Sequence, residues 1–145
     1  MPKRSNFGID GRTFALLPST AITTAVTGVS GTVITGLAGL TYLVVQAKFT
    51  YGSGGTTGKF WVQTSFDKGT TWTDIQCFAF TTTSATKFQA CKIYIALAAN
   101  KTIGDVALAD NTILDGVFGD RVKVKYTTTG TYAGSTAIKM DAVVG

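Results

Sequence analysis

Apolar and polar residues alternate with a period of two along much of this chain, and the alternating runs are separated by clusters of glycine, threonine and serine. From Tyr42 to Tyr51, the side chains of Leu43, Val45, Ala47, Phe49 and Tyr51 share one side while Gln46, Lys48 and Thr50 share the other, which predicts a half-buried strand. Gly52 to Gly58 reads as a hairpin loop. The chain then returns from Lys59 to Phe66, with Phe60, Val62 and Phe66 opposite Lys59, Gln63 and Ser65, and with Trp61 on the polar side. Between Trp72 and Thr82 the phase changes, since Ile75 and Cys77 have one parity and Phe78 and Phe80 the other; a bulge near Cys77 reconciles them. After a turn at Thr81 to Ser84, a strand from Phe88 to Leu97 places Cys91, Ile93, Ile95 and Leu97 on one face. Asn100 to Gly119 has weak periodicity and reads as a long connection holding short strands. Arg121 to Tyr126 is the cleanest alternation, with Val122, Val124 and Tyr126 inward and Arg121, Lys123 and Lys125 outward. Gly130 to Gly134 turns it, and Ile138, Met140, Ala142 and Val144 line a last strand. With a further strand in Ala21 to Thr27, about eight strands are expected, the pattern of a single all-β, jelly-roll-like β-sandwich over residues 20–145. Residues 1–19 lie outside the pattern and read as an extended N-terminal arm with a basic tip.

Composition narrows the chemistry. The 145 residues suffice for one domain, and with 45% hydrophobic and 14% charged residues they can bury a core instead of remaining disordered. Threonine occurs 26 times and glycine 17 times, which favours strands and tight turns over helices. Histidine and glutamate are absent, so there is no Ser-His-Asp relay, no imidazole proton shuttle and no HExxH zinc site. The expectation is a protein that is not an enzyme, with no catalytic, cofactor-binding or metal residues. Asp105, Asp110, Asp115 and Asp120 recur every five residues and invite a calcium reading, but the spacing fits no EF-hand, and Asx-turns explain the residues more simply. Cys77 and Cys91 can be read as a disulfide across a hairpin or, more simply in a reducing compartment, as two small core thiols. The uncharged stretch from Thr13 to Ala47 is broken by Pro18 and rich in threonine and glycine, which argues against a membrane span. No secretory leader is read at the start of the sequence, so synthesis in the cytoplasm is expected. The net charge is +5, but only three basic residues are arginine and no aromatic residues interleave with them; Lys123, Lys125 and Lys139, expected on adjacent strand positions, suit an acidic protein partner better than nucleic acid.

Two resemblances follow. Ser65, Asp67, Gly69, Thr71 and Trp72 fit S-x-D-x-G-x-T-W, which resembles the Asp-box turn of sialidases and related β-propellers. It occurs once here, and the chain is too short for a propeller, so this likeness implies a structural turn and no activity. The runs FWVQTSFDKGTTWTDI at Phe60 to Ile75 and GDRVKVKYTTTGTY at Gly119 to Tyr132 resemble small β-sandwich virion proteins of tailed bacteriophages. That resemblance implies a capsid decoration or cement protein, made in the host cytoplasm and carried on the outer surface of the head. There it would bridge subunits of the major capsid protein as a homo-oligomer, a dimer or trimer, without nucleic acid or membrane. Lys3, Arg4, Phe7, Arg12, Phe14 and Trp61 are the candidate partner-binding residues. The alternative is a tail-associated adaptor or a carbohydrate- or receptor-binding module using Trp61, Tyr51 and Tyr132 as stacking platforms.

Overall fold

The computed structural model describes residues 12–93, 99–104 and 107–145. Among them are ten strands: β1 (Arg12–Ala21), β2 (Val26–Ser30), β3 (Tyr42–Thr50), β4 (Ser53–Gly54), β5 (Thr57–Ser65), β6 (Thr73–Phe80), β7 (Ala85–Lys92), β8 (Arg121–Thr129), β9 (Tyr132–Ala133) and β10 (Ala137–Val144). Pairing is antiparallel throughout. One nested set, β5–β6 inside β3–β7 inside β2–β8 inside β1–β10, is what a single long folded ribbon makes. A second set, β5–β8 inside β4–β9 inside β3–β10, is what rolling that ribbon up adds. The result is a jelly roll: a first sheet in the order β1-β10-β3-β7 and a second in the order β2-β8-β5-β6, with β4 and β9 forming a small sheet of their own.

Most of the alternation predicted from sequence fills the space between the sheets, but Phe66, read as inward, follows the end of β5 and is 54% exposed, and Ile93, read on the face of Cys91, is 38% exposed. Leu43, Val45, Ala47 and Phe49 of β3 and Ile138, Met140, Ala142 and Val144 of β10 face Phe60 and Val62 of β5 and Val122 and Val124 of β8 in one buried cluster. Phe49 stacks on Phe80 of the opposite sheet with ring centroids 5.0 Å apart, and Tyr132 meets the edge of Phe49 at 5.9 Å.

Several expectations shift. Residues 12–19, read as arm, belong to β1, which pairs with β10 and buries Leu16 and Leu17. The alternation is hidden there because the register slips twice, between Ala15 and Leu17 and between Leu17 and Thr20, around Pro18. Such slips and a proline also blunt an edge strand against uncontrolled pairing. Residues 1–11 of the expected arm, with Lys3, Arg4 and Phe7, lie outside the described residues. The slip in β6 falls opposite Val62 and Gln63, at Ile75, two residues before Cys77. β7 starts at Ala85 and stops at Lys92; Ile95 and Leu97 lie outside the described residues. Lys139 is on β10 in the first sheet and Lys123 and Lys125 are on β8 in the second, so the three lysines do not form one patch. The uncharged stretch enters β1, β2 and β3, and among the described residues no helix is long and apolar enough to cross a membrane.

The segment from Leu108 to Gly119 packs along the outer side and edge of β5 and β6. Trp61 Nε1 donates to Leu108 O at 3.1 Å, Leu108 N to Asp74 Oδ2 at 3.0 Å, and Ala79 N to Asn111 Oδ1 at 3.1 Å. Cys77 N donates to Thr112 O, Leu114 N donates to Ile75 O, and Gly119 N donates to Thr64 Oγ1 at 2.7 Å. This cover buries the outer face of β5 and β6, which is why Gln63, Ser65 and Asp74 are buried although they are polar, whereas Gln76 faces inward and donates to Gln89 O and Cys91 Sγ of β7. Asp74 is compatible with burial because it accepts from Gln63 Nε2 at 2.8 Å as well as from Leu108 N.

Candidate functional site

The Asp-box residues close a complete turn between β5 and β6. Ser65 Oγ donates to Asp67 Oδ1 at 2.8 Å and accepts from Gly69 N at 2.8 Å. Asp67 Oδ1 accepts from Thr71 N at 2.8 Å and Oδ2 accepts from Thr71 Oγ1 at 2.7 Å. Trp72 Nε1 donates to Gly69 O at 3.0 Å. Lys68 and Gly69 both have positive φ, 60° and 91°, so the turn needs a glycine at its second left-handed position far more than it needs space there. The Thr71 N–H, then the Thr71 hydroxyl and Ser65, hold the Asp67 carboxyl down at about 2. Arg121 Nη1 reaches the turn from β8, donating to Lys68 O at 3.0 Å, while its Nε and Nη2 pair with Asp120. That pairing lowers the Asp120 pKa and raises that of Arg121.

Beside this turn, Trp72 and β8 shape an open groove on the outer face of the second sheet. Lys123 Nζ sits 4.5 Å from the centroid of the Trp72 ring and donates to Ser30 Oγ at 3.2 Å. The sequence offered Lys123 only as part of a lysine patch and Trp72 only as part of a turn, because their meeting depends on β5 and β8 pairing in register, Gln63 against Lys123.

The first sheet offers a different surface. Its outward row Thr13, Val143, Val44 and Ala90 crosses all four strands, and the next row is Ala15, Asp141, Gln46 and Phe88. Phe88 is 76% exposed and Val143 41% exposed. Lys48 and Lys139 are neighbours in the following row, and Lys92 lies at the other end of β7. The parity of Phe88, opposite to Cys91, was a legible sign that it points outward.

The remaining sequence candidates fall into other roles. Arg12 Nη2 donates to Gly36 O at 2.8 Å, tying β1 to the loop before β3, and Phe14 packs against the core. Both thus make contacts within the fold, Arg12 from an exposed position and Phe14 from a half-buried one. Trp61 does stand on the polar side of β5, but it is only 8% exposed, hydrogen-bonded to Leu108 and flanked by Lys125 at 5.4 Å. The stacking platform of Trp61, Tyr51 and Tyr132 is therefore not formed. Tyr132 is buried with its hydroxyl donating to Thr81 O, and Tyr51 donates to Gly54 O; burial also raises the Tyr132 pKa.

The evenly spaced aspartates serve separate tasks. Asp110 pairs with Lys59 at 2.9 Å, Asp115 accepts from Lys92 N and Gly116 N, and Asp120 pairs with Arg121; Asp105 lies outside the described residues. Among the described residues no three acidic or cysteine side chains gather as metal ligands. Cys77 and Cys91 are buried free thiols. Burial pushes the Cys77 thiol up to about 11 and the Cys91 thiol up to about 12, leaving both unreactive near neutral pH. Comparison with family models, curated proteins and solved structures finds no match to this chain.

Proposed function

We propose that this chain is a non-enzymatic structural protein of a tailed-bacteriophage particle, a decoration protein that lies on the head and bridges major capsid protein subunits. The observation that carries the reading is Phe88, 76% exposed on the outer face of β7, with Ala90 two residues on and Val44 diagonal to it on β3, while Gln46 and Asp141 continue its own row. A bare aromatic on a sheet face fits a protein whose working state is bound, because contact with another subunit removes that apolar area from water. Lys48 and Lys92 on the same face match a partner with an acidic rim, while Lys139 pairs with Asp141 at 3.5 Å, and charge complementarity fixes the register of such a contact. The jelly roll supports the same reading, since it presents two broad, rigid sheet faces and is common among capsid and lectin domains.

The test is co-sedimentation of purified protein with heads that lack it. Wild type should sediment with the heads, and Phe88→Ser should remain folded and fall to background. Binding by the Phe88→Ser variant at the wild-type level removes this surface from the account, and absence of wild-type binding to heads or tails removes the function. A receptor-binding role on the tail is the second reading, and the groove beside Trp72 is what favours it.

A further inference from the structure

We infer that the groove between the Asp-box turn and β8 is a binding site for a saccharide that carries a carboxylate. The groove encloses about 370 Å³ on the outer face of the second sheet, and its lining includes Ser30, Gln63, Thr70, Thr71, Trp72 and Lys123. That volume is at the small end of ligand pockets. Three features of the lining select the ligand. Lys123 provides a cation held by the face of Trp72 and the hydroxyl of Ser30, and among the described residues no carboxylate pairs with it. Trp72 provides a half-buried indole whose orientation is fixed by its N–H bond to Gly69 O. Thr70, Thr71 and Ser30 provide short polar side chains that suit sugar hydroxyls.

Lys123 uses one of its three donors on Ser30, so it can pair with an incoming carboxylate without breaking a salt bridge. As it turns toward that anion it leaves the face of Trp72, and the C–H face of a pyranose can replace it on the indole. The contact exchanged is a cation–π pair worth about 0.5–1 kcal/mol when exposed. Nucleic acid fits less well. Lys125 also lines the groove, but the Asp67 carboxylate in the adjoining turn and Asp74, which accepts from Gln63, place negative charge near it, which opposes a polyphosphate more strongly than one carboxylate. This reading does not rest on the docking face of the first sheet, which lies on the other side of the sandwich.

The experiment is a titration of the full chain, isotopically labelled, with an oligogalacturonate, with a neutral oligosaccharide of equal length and with oligothymidylate at low salt. The amide and indole signals of Trp72 and the amide of Lys123 report where each binds. The oligogalacturonate should shift these signals saturably, at least about tenfold more tightly than the neutral sugar, and Lys123→Gln should weaken it by about tenfold with an unchanged melting temperature. Phe88→Ser should bind the sugar like wild type. The inference is overturned by no saturable shift up to about 10 mM sugar, by equal binding to Lys123→Gln, by equal binding of the neutral sugar, or by tighter binding of oligothymidylate to the same residues.

Discussion

Replacing Thr64 by valine tests whether the segment packed on β5 and β6 is held by its hydrogen bonds or merely rests there. Thr64 is fully buried, donates to Arg121 O at 2.9 Å and accepts from Gly119 N at 2.7 Å, so one hydroxyl joins β5, β8 and the end of the covering segment. Valine keeps the branched shape but removes both bonds, and the Gly119 N–H has no room to turn toward another partner, because Gly119 is pressed against the Ser65 carbonyl. Each lost bond costs about 0.5–1.5 kcal/mol net, and a buried donor left unpaired costs about 1–3 kcal/mol. The added methyl group returns up to about 0.8 kcal/mol through burial. Counting the bond to Arg121 O as lost, the Gly119 N–H as unpaired and the methyl as returned gives a destabilisation of about 1–4 kcal/mol, or roughly 3–12 °C in melting temperature for a chain of this size. Thermal and urea unfolding followed by circular dichroism would measure it, with Thr50→Val on the exposed side of β3 as the control, expected within about 0.5 kcal/mol of wild type. Hydrogen exchange should show faster opening at Gly119, Leu114 and Cys77 in Thr64→Val. A loss below about 0.5 kcal/mol with unchanged exchange would refute the reasoning, since it would mean that the covering segment does not depend on this hydroxyl.

Other outcomes follow from the same geometry. Phe49→Ala should cost about 3–5 kcal/mol in urea unfolding, because it opens a cavity between the sheets and removes the contacts to Phe80 and Tyr132. Gly119→Ala should be strongly destabilising, because its methyl group would stand 2.0 Å from the Ser65 carbonyl oxygen, where backbone must move. For Asp67 the folded value of about 2 lies below the ordinary 3.8, so the unfolded chain binds a proton first as pH falls. The turn's contribution is thus complete above about pH 4 and is lost as pH falls toward 2. Asp67→Asn should flatten the melting temperature over that window, and an unchanged slope would contradict the assignment. Cys77 and Cys91 should resist a thiol reagent at pH 8 in the folded chain and react together on unfolding.

The strands of the middle and end of the chain were legible because each buries one face, and a half-buried strand writes its orientation into every second residue. Leu43 to Phe49, Val122 to Tyr126 and Ile138 to Val144 all pack as that period requires. The Asp-box turn was equally legible, because its bonds run between Ser65, Asp67, Gly69, Thr71 and Trp72, all within eight residues. β1 escaped notice because its register slips twice, which destroys the period that reveals a strand. Trp61 was placed on the correct side of β5 and still assigned the wrong surroundings, since only the later Leu108 to Gly119 segment decides whether that side meets water.

The sequence by itself determined the all-β class, the inward residues of the regular strands and the chemistry of the local turn, because these depend on neighbours a few positions apart. The tertiary structure alone decided which strands share a sheet, that Lys139 stands apart from Lys123 and Lys125, that Lys123 lies over Trp72, and that Phe88 remains bare while Trp61 is covered. The physical reason is that exposure and pairing between residues tens of positions apart are set by how the ribbon rolls up. A period of two records which side of a strand a residue occupies, but not what comes to rest against that side.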